Sequence, residues 1–84
     1  MGRDCVIAKK ANTFILSLPE AQRKKVKEAV RRLLAGDFAG LDIKRLQPHP
    51  HDFRLRLGGV RILFTSDEQR LFIYKAGFRG DVYK

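Results

Sequence analysis

The stretch FRLRLGGVRILF, Phe53–Phe64, alternates apolar and basic residues on both sides of a glycine pair. A period of two marks a strand with one buried face, and Gly58-Gly59 between two such runs makes a tight hairpin turn. A two-residue turn fixes the register: Leu57 faces Val60, Arg56 faces Arg61, Leu55 faces Ile62, Arg54 faces Leu63 and Phe53 faces Phe64. One face of this hairpin is apolar, and the other sets two arginines directly opposite each other. Like charges at facing positions destabilise a sheet, so Arg56 and Arg61 point to an anionic partner rather than to fold stability.

Downstream, Ser66 to Gln69 with Asp67-Glu68 at its tip reverses the chain into a further strand, Leu71 to Ala76. The expected register pairs Ile62 with Ile73 and Phe64 with Leu71 on the core side, and Arg61 with Tyr74 and Leu63 with Phe72 on the other. Tyr74 then sits beside Arg61, where it either packs or stacks an unpaired base. Gly77 is expected to break this strand. In the closing FRGDVYK, Arg79, Asp81 and Tyr83 are expected to point one way and Val82 toward the apolar side; alternatively Val82 and Tyr83 add a last short strand.

Upstream, Cys5 to Ala8 is a short apolar run suited to a strand, with Cys5 expected to be a buried thiol rather than a nucleophile. Ala11, Phe14, Ile15 and Leu18 then recur at helical spacing, which predicts a helix over Lys9–Ser17 ended by Pro19. A second helix follows, marked by Ser17 and Glu20 at capping-box spacing and by the stripe Val26, Val30, Leu33 and Leu34, with Gly36-Asp37 as its stop. Its basic residues alternate with Glu20 and Glu28 at spacings that predict the pairs Glu20–Lys24 and Glu28–Arg32. From Asp37 to Asp52 no period is evident; Leu41, Ile43 and Leu46 anchor a connection that ends in Pro48-His49-Pro50-His51. His49 and His51 are either solvated or available as acid or base near neutral pH.

The order of elements predicts one α+β domain over residues 1–84: an N-terminal strand and an α-hairpin packed on one face of a small, mainly antiparallel twisted β-sheet. The 84 residues are 44% hydrophobic, as a folded domain requires, and carry a formal net charge of +9. A basic domain of this size suits nucleic acid better than a membrane or an acidic protein surface. A single cysteine and two histidines offer neither an internal disulfide nor a zinc ligand set. Without a long apolar run, the expectation is a soluble cytoplasmic protein with no membrane contact and no cofactor.

Arg54, Arg56 and Arg61 converge on the face opposite the helices, with Arg79 and Tyr83 joining them if the tail folds back. Planar guanidinium groups donate in pairs to phosphate oxygens and keep their charge, so such a cluster either holds a phosphodiester strand or stabilises charge developing on it. In RNA cleavage the 2′-hydroxyl must also lose a proton, which arginine does not accept. Tyr83 is the phenolic candidate for that base, with His49 or His51 in reserve.

The hairpin FRLRLGGVRILF, the acidic turn, the apolar strand and the closing FRGDVYK, together with an α-hairpin turning at LPEA, resemble the RelE toxins of bacterial and archaeal toxin–antitoxin systems, within the RelE/ParE superfamily. That resemblance implies a ribosome-dependent, metal-independent endoribonuclease that cuts mRNA in the vacant A site, leaves a 2′,3′-cyclic phosphate and thereby inhibits translation. It implies as partners a cognate antitoxin, the ribosome and mRNA, with the toxin monomeric or held in a toxin–antitoxin heterocomplex. Arg54 and Arg56 match two basic positions of the family's active face, Arg61 its phosphate-binding arginine, Arg79 the arginine that assists the leaving group, and Tyr83 the tyrosine that orients or deprotonates the nucleotide. Lys44, Arg45, Tyr74 and Lys84 complete the expected RNA-contacting set. Well-known bacterial RelE toxins have lysines where Arg54 and Arg56 stand, which leaves the base open. The other readings are a ParE-like inhibitor of DNA gyrase and a non-catalytic nucleic-acid-binding module.

Overall fold

The computed structural model describes residues 4–46 and 48–82. Strand β1 (Asp4–Ile7) leads into helices α1 (Lys9–Leu16) and α2 (Glu20–Leu34), followed by β2 (Asp42–Arg45), β3 (Asp52–Leu57), β4 (Val60–Ser66) and β5 (Arg70–Phe78). The five strands form one mixed sheet in the order β1-β5-β4-β3-β2, with β1 parallel to β5 and the other neighbours antiparallel. The α+β expectation of an α-hairpin on a mainly antiparallel sheet holds.

The core lies between the helices and one sheet face. Val26, Ala29 and Leu33 of α2 and Ala11 of α1 meet Leu55, Ile62, Phe64, Leu71 and Ile73, all buried. Phe53 stacks on its cross-strand partner Phe64 at 5.5 Å between ring centroids, so the hairpin's apolar alternation becomes packing. Helix α2 ends as its glycine dictates: Gly36 takes φ 76°, Gly36 N–H donates to Leu33 O, and Asp37 N–H donates to Arg32 O, the paired bonds of a Schellman turn.

The β3–β4 hairpin has each of the five expected pairs, Leu57–Val60 through Phe53–Phe64, around Gly58 at φ 60°. The β4–β5 register differs from expectation. Ser66 pairs with Leu71 and Phe64 with Ile73, because the Asp67 carboxylate accepts the N–H groups of Gln69 and Arg70 at 2.8 and 2.7 Å and moves the turn one residue along, to Glu68-Gln69. A bulge then leaves Tyr74 without a direct partner, so Ile73 and Ala76 both face the core side and Arg61 pairs with Gly77. Gly77 does not break β5, which continues to Phe78.

Four local expectations are corrected. Ser17 does not cap α2; its hydroxyl donates to Phe14 O at 2.6 Å and finishes α1, while Pro19 precedes α2 with no side-chain cap. Glu28 pairs with Arg31, and Arg32 turns instead to Asp37 at 3.1 Å; Glu20–Lys24 forms at 3.5 Å. Cys5 is exposed, because β1 is an edge strand that Leu71 covers on one side only. Finally, the segment without a period contains β2, which pairs antiparallel with β3, and residues 79–82 form a turn where a last short strand was the alternative.

Candidate phosphate-binding face

Register determines which side chains share the open face, the one the helices leave uncovered. Leu55 and Ile62 face the core, so Arg54, Arg56 and Arg61 alternate onto the other side. Lys44 pairs with Arg54 and joins them, whereas Arg45 pairs with Phe53 and falls on the helix side. The expected cluster therefore keeps Lys44 and does not gather Arg45.

The facing arginines are handled differently. Arg56 is exposed and its Nε lies 2.5 Å from Oδ2 of Asp42, its direct partner on β2. Arg61 is buried, with 8% of its surface exposed, and its terminal nitrogen donates to Gly58 O at 2.5 Å and Val60 O at 3.3 Å. One guanidinium is thus balanced by a carboxylate and the other by carbonyls of the hairpin turn, which removes much of the repulsion that the pairing would otherwise carry. Arg54 reaches the same carboxylate at 3.8 Å from Oδ1, and its Nε is buried with no hydrogen-bond partner among the described residues.

The tail returns to this end of the sheet. Arg79 is exposed, and its backbone N–H donates to Gly59 O at 2.9 Å, which brings it to the hairpin turn. Val82 is buried, though not on the helix side as expected: a methyl group on Gly77 would stand 3.6–3.7 Å from it, so Val82 covers the residue opposite Arg61. The expected contributions of Tyr83 and Lys84 lie outside the described residues.

Tyr74 does not lie beside Arg61. The bulge moves it toward the start of β3, where its hydroxyl donates to Asp52 Oδ1 at 2.6 Å and its ring tilts against Phe72. Burial, then the bond to the Asp52 carboxylate, raises the phenol well above its ordinary value. His49 and His51 precede β3 at the same far end, so four residues of strand, about 14 Å, separate that end from Arg56. His51 lines instead a groove of about 1150 Å³ on the helix side with Leu34, Phe38, Ile43, Phe53 and Phe64; none of Arg54, Arg56, Arg61 or Arg79 lines it. Among the described residues, no three His, Cys, Asp or Glu side chains gather as a metal site.

Sequence reasoning missed Asp42 and Asp52, the two carboxylates that organise this face. The available signal was Asp42-Ile43-Lys44, a short polar–apolar–polar alternation inside the segment read as aperiodic.

No protein-family model and no curated protein matches this sequence. The fold itself is that of the RelE toxins, two helices on a five-stranded mixed sheet. A chain of the RelE–RelB complex of Pyrococcus horikoshii aligns with a TM-score of 0.81 at 23% identity, over 96% of this chain and 99% of that one. A chain of the RelB–RelE antitoxin–toxin complex of Methanococcus jannaschii aligns at 0.77 and 20% identity, over 93% and 94%. The isolated RelE toxin of Escherichia coli aligns at 0.69 and 20% identity, over 96% and 90%.

Proposed function

We propose that this protein is the toxin of a type II toxin–antitoxin system and acts as a ribosome-dependent mRNA endoribonuclease, held in check by a cognate antitoxin. The observation that carries the reading is the gathering of Arg56, Arg61 and the Arg79 backbone at one end of the open face of a RelE-type sheet. Two of the aligned chains come from complexes with RelB, which supports an antitoxin as partner. The site of action is the cytoplasm, where ribosomes and mRNA are available.

In this reading the 2′-hydroxyl of an A-site nucleotide attacks the adjacent phosphorus, the 5′-oxygen leaves, and a 2′,3′-cyclic phosphate remains. Arg61, fixed by Gly58 and Val60 carbonyls, offers a preoriented guanidinium to the phosphoryl oxygens as their charge grows. Arg56 and Arg54 hold the flanking phosphates, and Arg79 neutralises the departing oxygen. Tyr83, adjacent in sequence to the buried Val82, acts as a phenolate stabilised by the surrounding arginine charge and takes the proton to become the phenol; the far-end position of His49 and His51 argues against either one. Lys44 and Lys84 add attraction for the RNA backbone.

Purified protein is expected to cut mRNA on programmed ribosomes with an empty A site, read by primer extension. Arg61→Ala is expected to lower the cleavage rate about 10²–10³-fold, as for loss of a preorganised charge-stabilising donor. Intact mRNA with the native protein overturns the reading, and blocked gyrase supercoiling in its place supports the ParE-like one.

A further inference from the structure

We propose that Asp42 is the positioning residue of the open face: from the edge strand β2, its carboxylate sets the guanidinium groups of Arg54 and Arg56 in place for a phosphodiester. The proposal rests on the endoribonuclease reading for its kinetic consequence alone. Asp42 lies directly across from Arg56, and its two oxygens serve different arginines, Oδ2 at 2.5 Å from Arg56 Nε and Oδ1 at 3.8 Å from a terminal nitrogen of Arg54. Arg54 and Arg56 are two residues apart on one strand, so a single carboxylate spans both and ties them to a neighbouring strand.

Two features make this more than a surface ion pair. The shortest contact to Arg56 is at Nε, and a guanidinium held from that edge presents its outer edge of terminal N–H groups to a phosphate. Arg54 is largely withdrawn from water, its side chain 21% exposed and its Nε buried with no hydrogen-bond partner among the described residues, so an oriented negative charge nearby offsets part of the cost of holding that cation there. Long arginine side chains otherwise lose rotamer freedom when they grip a ligand, and a carboxylate that has already fixed them lowers that cost.

The result is an unusual signature. Removing Asp42 removes a negative charge from a face that attracts RNA, so binding should tighten, while loss of orientation should slow cleavage. Unfolding would weaken both, and simple charge tuning would tighten binding without slowing the chemistry. The test uses Asp42→Asn, with Asp42→Glu as the conservative variant. Three quantities are measured: solvent exchange of the Arg56 Nε–H by NMR, affinity for a fluorescent single-stranded RNA oligonucleotide across salt, and single-turnover cleavage on programmed ribosomes.

For Asp42→Asn, Nε–H protection should be lost, RNA affinity should rise severalfold with a steeper salt dependence, and cleavage should slow about 10–100-fold. Asp42→Glu should retain protection and most of the rate. Unchanged Nε–H protection, or cleavage that stays constant or falls only in step with binding, overturns the proposal. If the native protein leaves ribosomal mRNA intact, the endoribonuclease reading fails, and the exchange and binding measurements still decide the role of Asp42.

Discussion

Strand β4 belongs to two hairpins, and they encode their registers by different means. In β3–β4 a glycine pair makes the turn, the strands are regular, and every cross-strand pair follows from counting outward from Gly58-Gly59. In β4–β5 a side chain makes the turn, through the Asp67 carboxylate, and one strand carries an extra residue at Tyr74. Backbone dihedrals that demand glycine are visible in a sequence, whereas a carboxylate folding back on two N–H groups is one of several ways to close a short acidic loop. The difference has functional weight, because Arg61 lies on the shared strand. The first hairpin sets Arg56 across from it; the second sets Gly77 there in place of Tyr74 and makes room for Val82.

Gly77 offers the strongest way to break that comparison. A bare Cβ at this position would make ordinary contact with Val82, at 3.6–3.7 Å, so Gly77→Ala is expected to fold with near-native stability. Gly77→Val adds branches where Val82 is already buried, and overpacking of this kind costs about 1–3 kcal/mol. Chemical denaturation should therefore separate the two variants, and the valine variant should also lose cleavage through displacement of the 79–82 turn from Arg61. Equal stability of both would mean that Val82 does not hold the tail against β5.

What could be read in advance follows the same division. The α-hairpin, the apolar face and the positions of Arg54, Arg56 and Arg61 all rest on periodicity, which burial enforces residue by residue. Strand β2 leaves only the three-residue alternation Asp42-Ile43-Lys44 as its signal, because an edge strand needs few apolar residues; Ile43 alone packs on the core while Asp42, Lys44 and Arg45 stay exposed. Tyr74 was placed on the correct strand and beside the wrong partner, since a bulge has no requirement for glycine or proline. Ser17 matches the capping-box pattern but bonds backwards to Phe14, where a last-turn carbonyl of α1 that also takes the Ser17 N–H competes for the same hydroxyl. The tail was legible only as composition: the contact of Val82 with Gly77 joins residues on two different elements and has no local signature.

Tyr74 tests the bulge more gently. Its hydroxyl bonds to the Asp52 carboxylate, and Tyr74→Phe should lower stability by about 1–2 kcal/mol at neutral pH without slowing cleavage, because this pair lies at the far end from Arg61. The phenol's pKa is raised on folding, by burial first and by Asp52 next, so its stabilising contribution is complete below the unfolded value of about 10 and is lost as pH rises through the folded value. The difference between native protein and Tyr74→Phe, followed by urea titration, should hold constant to about pH 10 and shrink above it. A difference already shrinking near pH 8 would show that the hydrogen bond does not persist in solution.

The smallest effect belongs to the turn itself. Asp67 is fully exposed, and its carboxyl is held below the ordinary value by the Gln69 N–H first and the Arg70 N–H second. A depressed carboxylate favours the folded state above its unfolded pKa of about 4, and that contribution disappears as pH falls through the folded value. Asp67→Ala is thus expected to lower Tm slightly at pH 7, with the two proteins converging in acid below about pH 4. Asp67→Asn, whose side-chain oxygen can accept the same two N–H bonds, should recover part of the loss at pH 7 and show less of this pH dependence. A glycine turn has no titratable group, so the β3–β4 hairpin should show no matching change, and hydrogen exchange at its amides through the same acid range should leave the register around Gly58-Gly59 intact while the β4–β5 turn loosens.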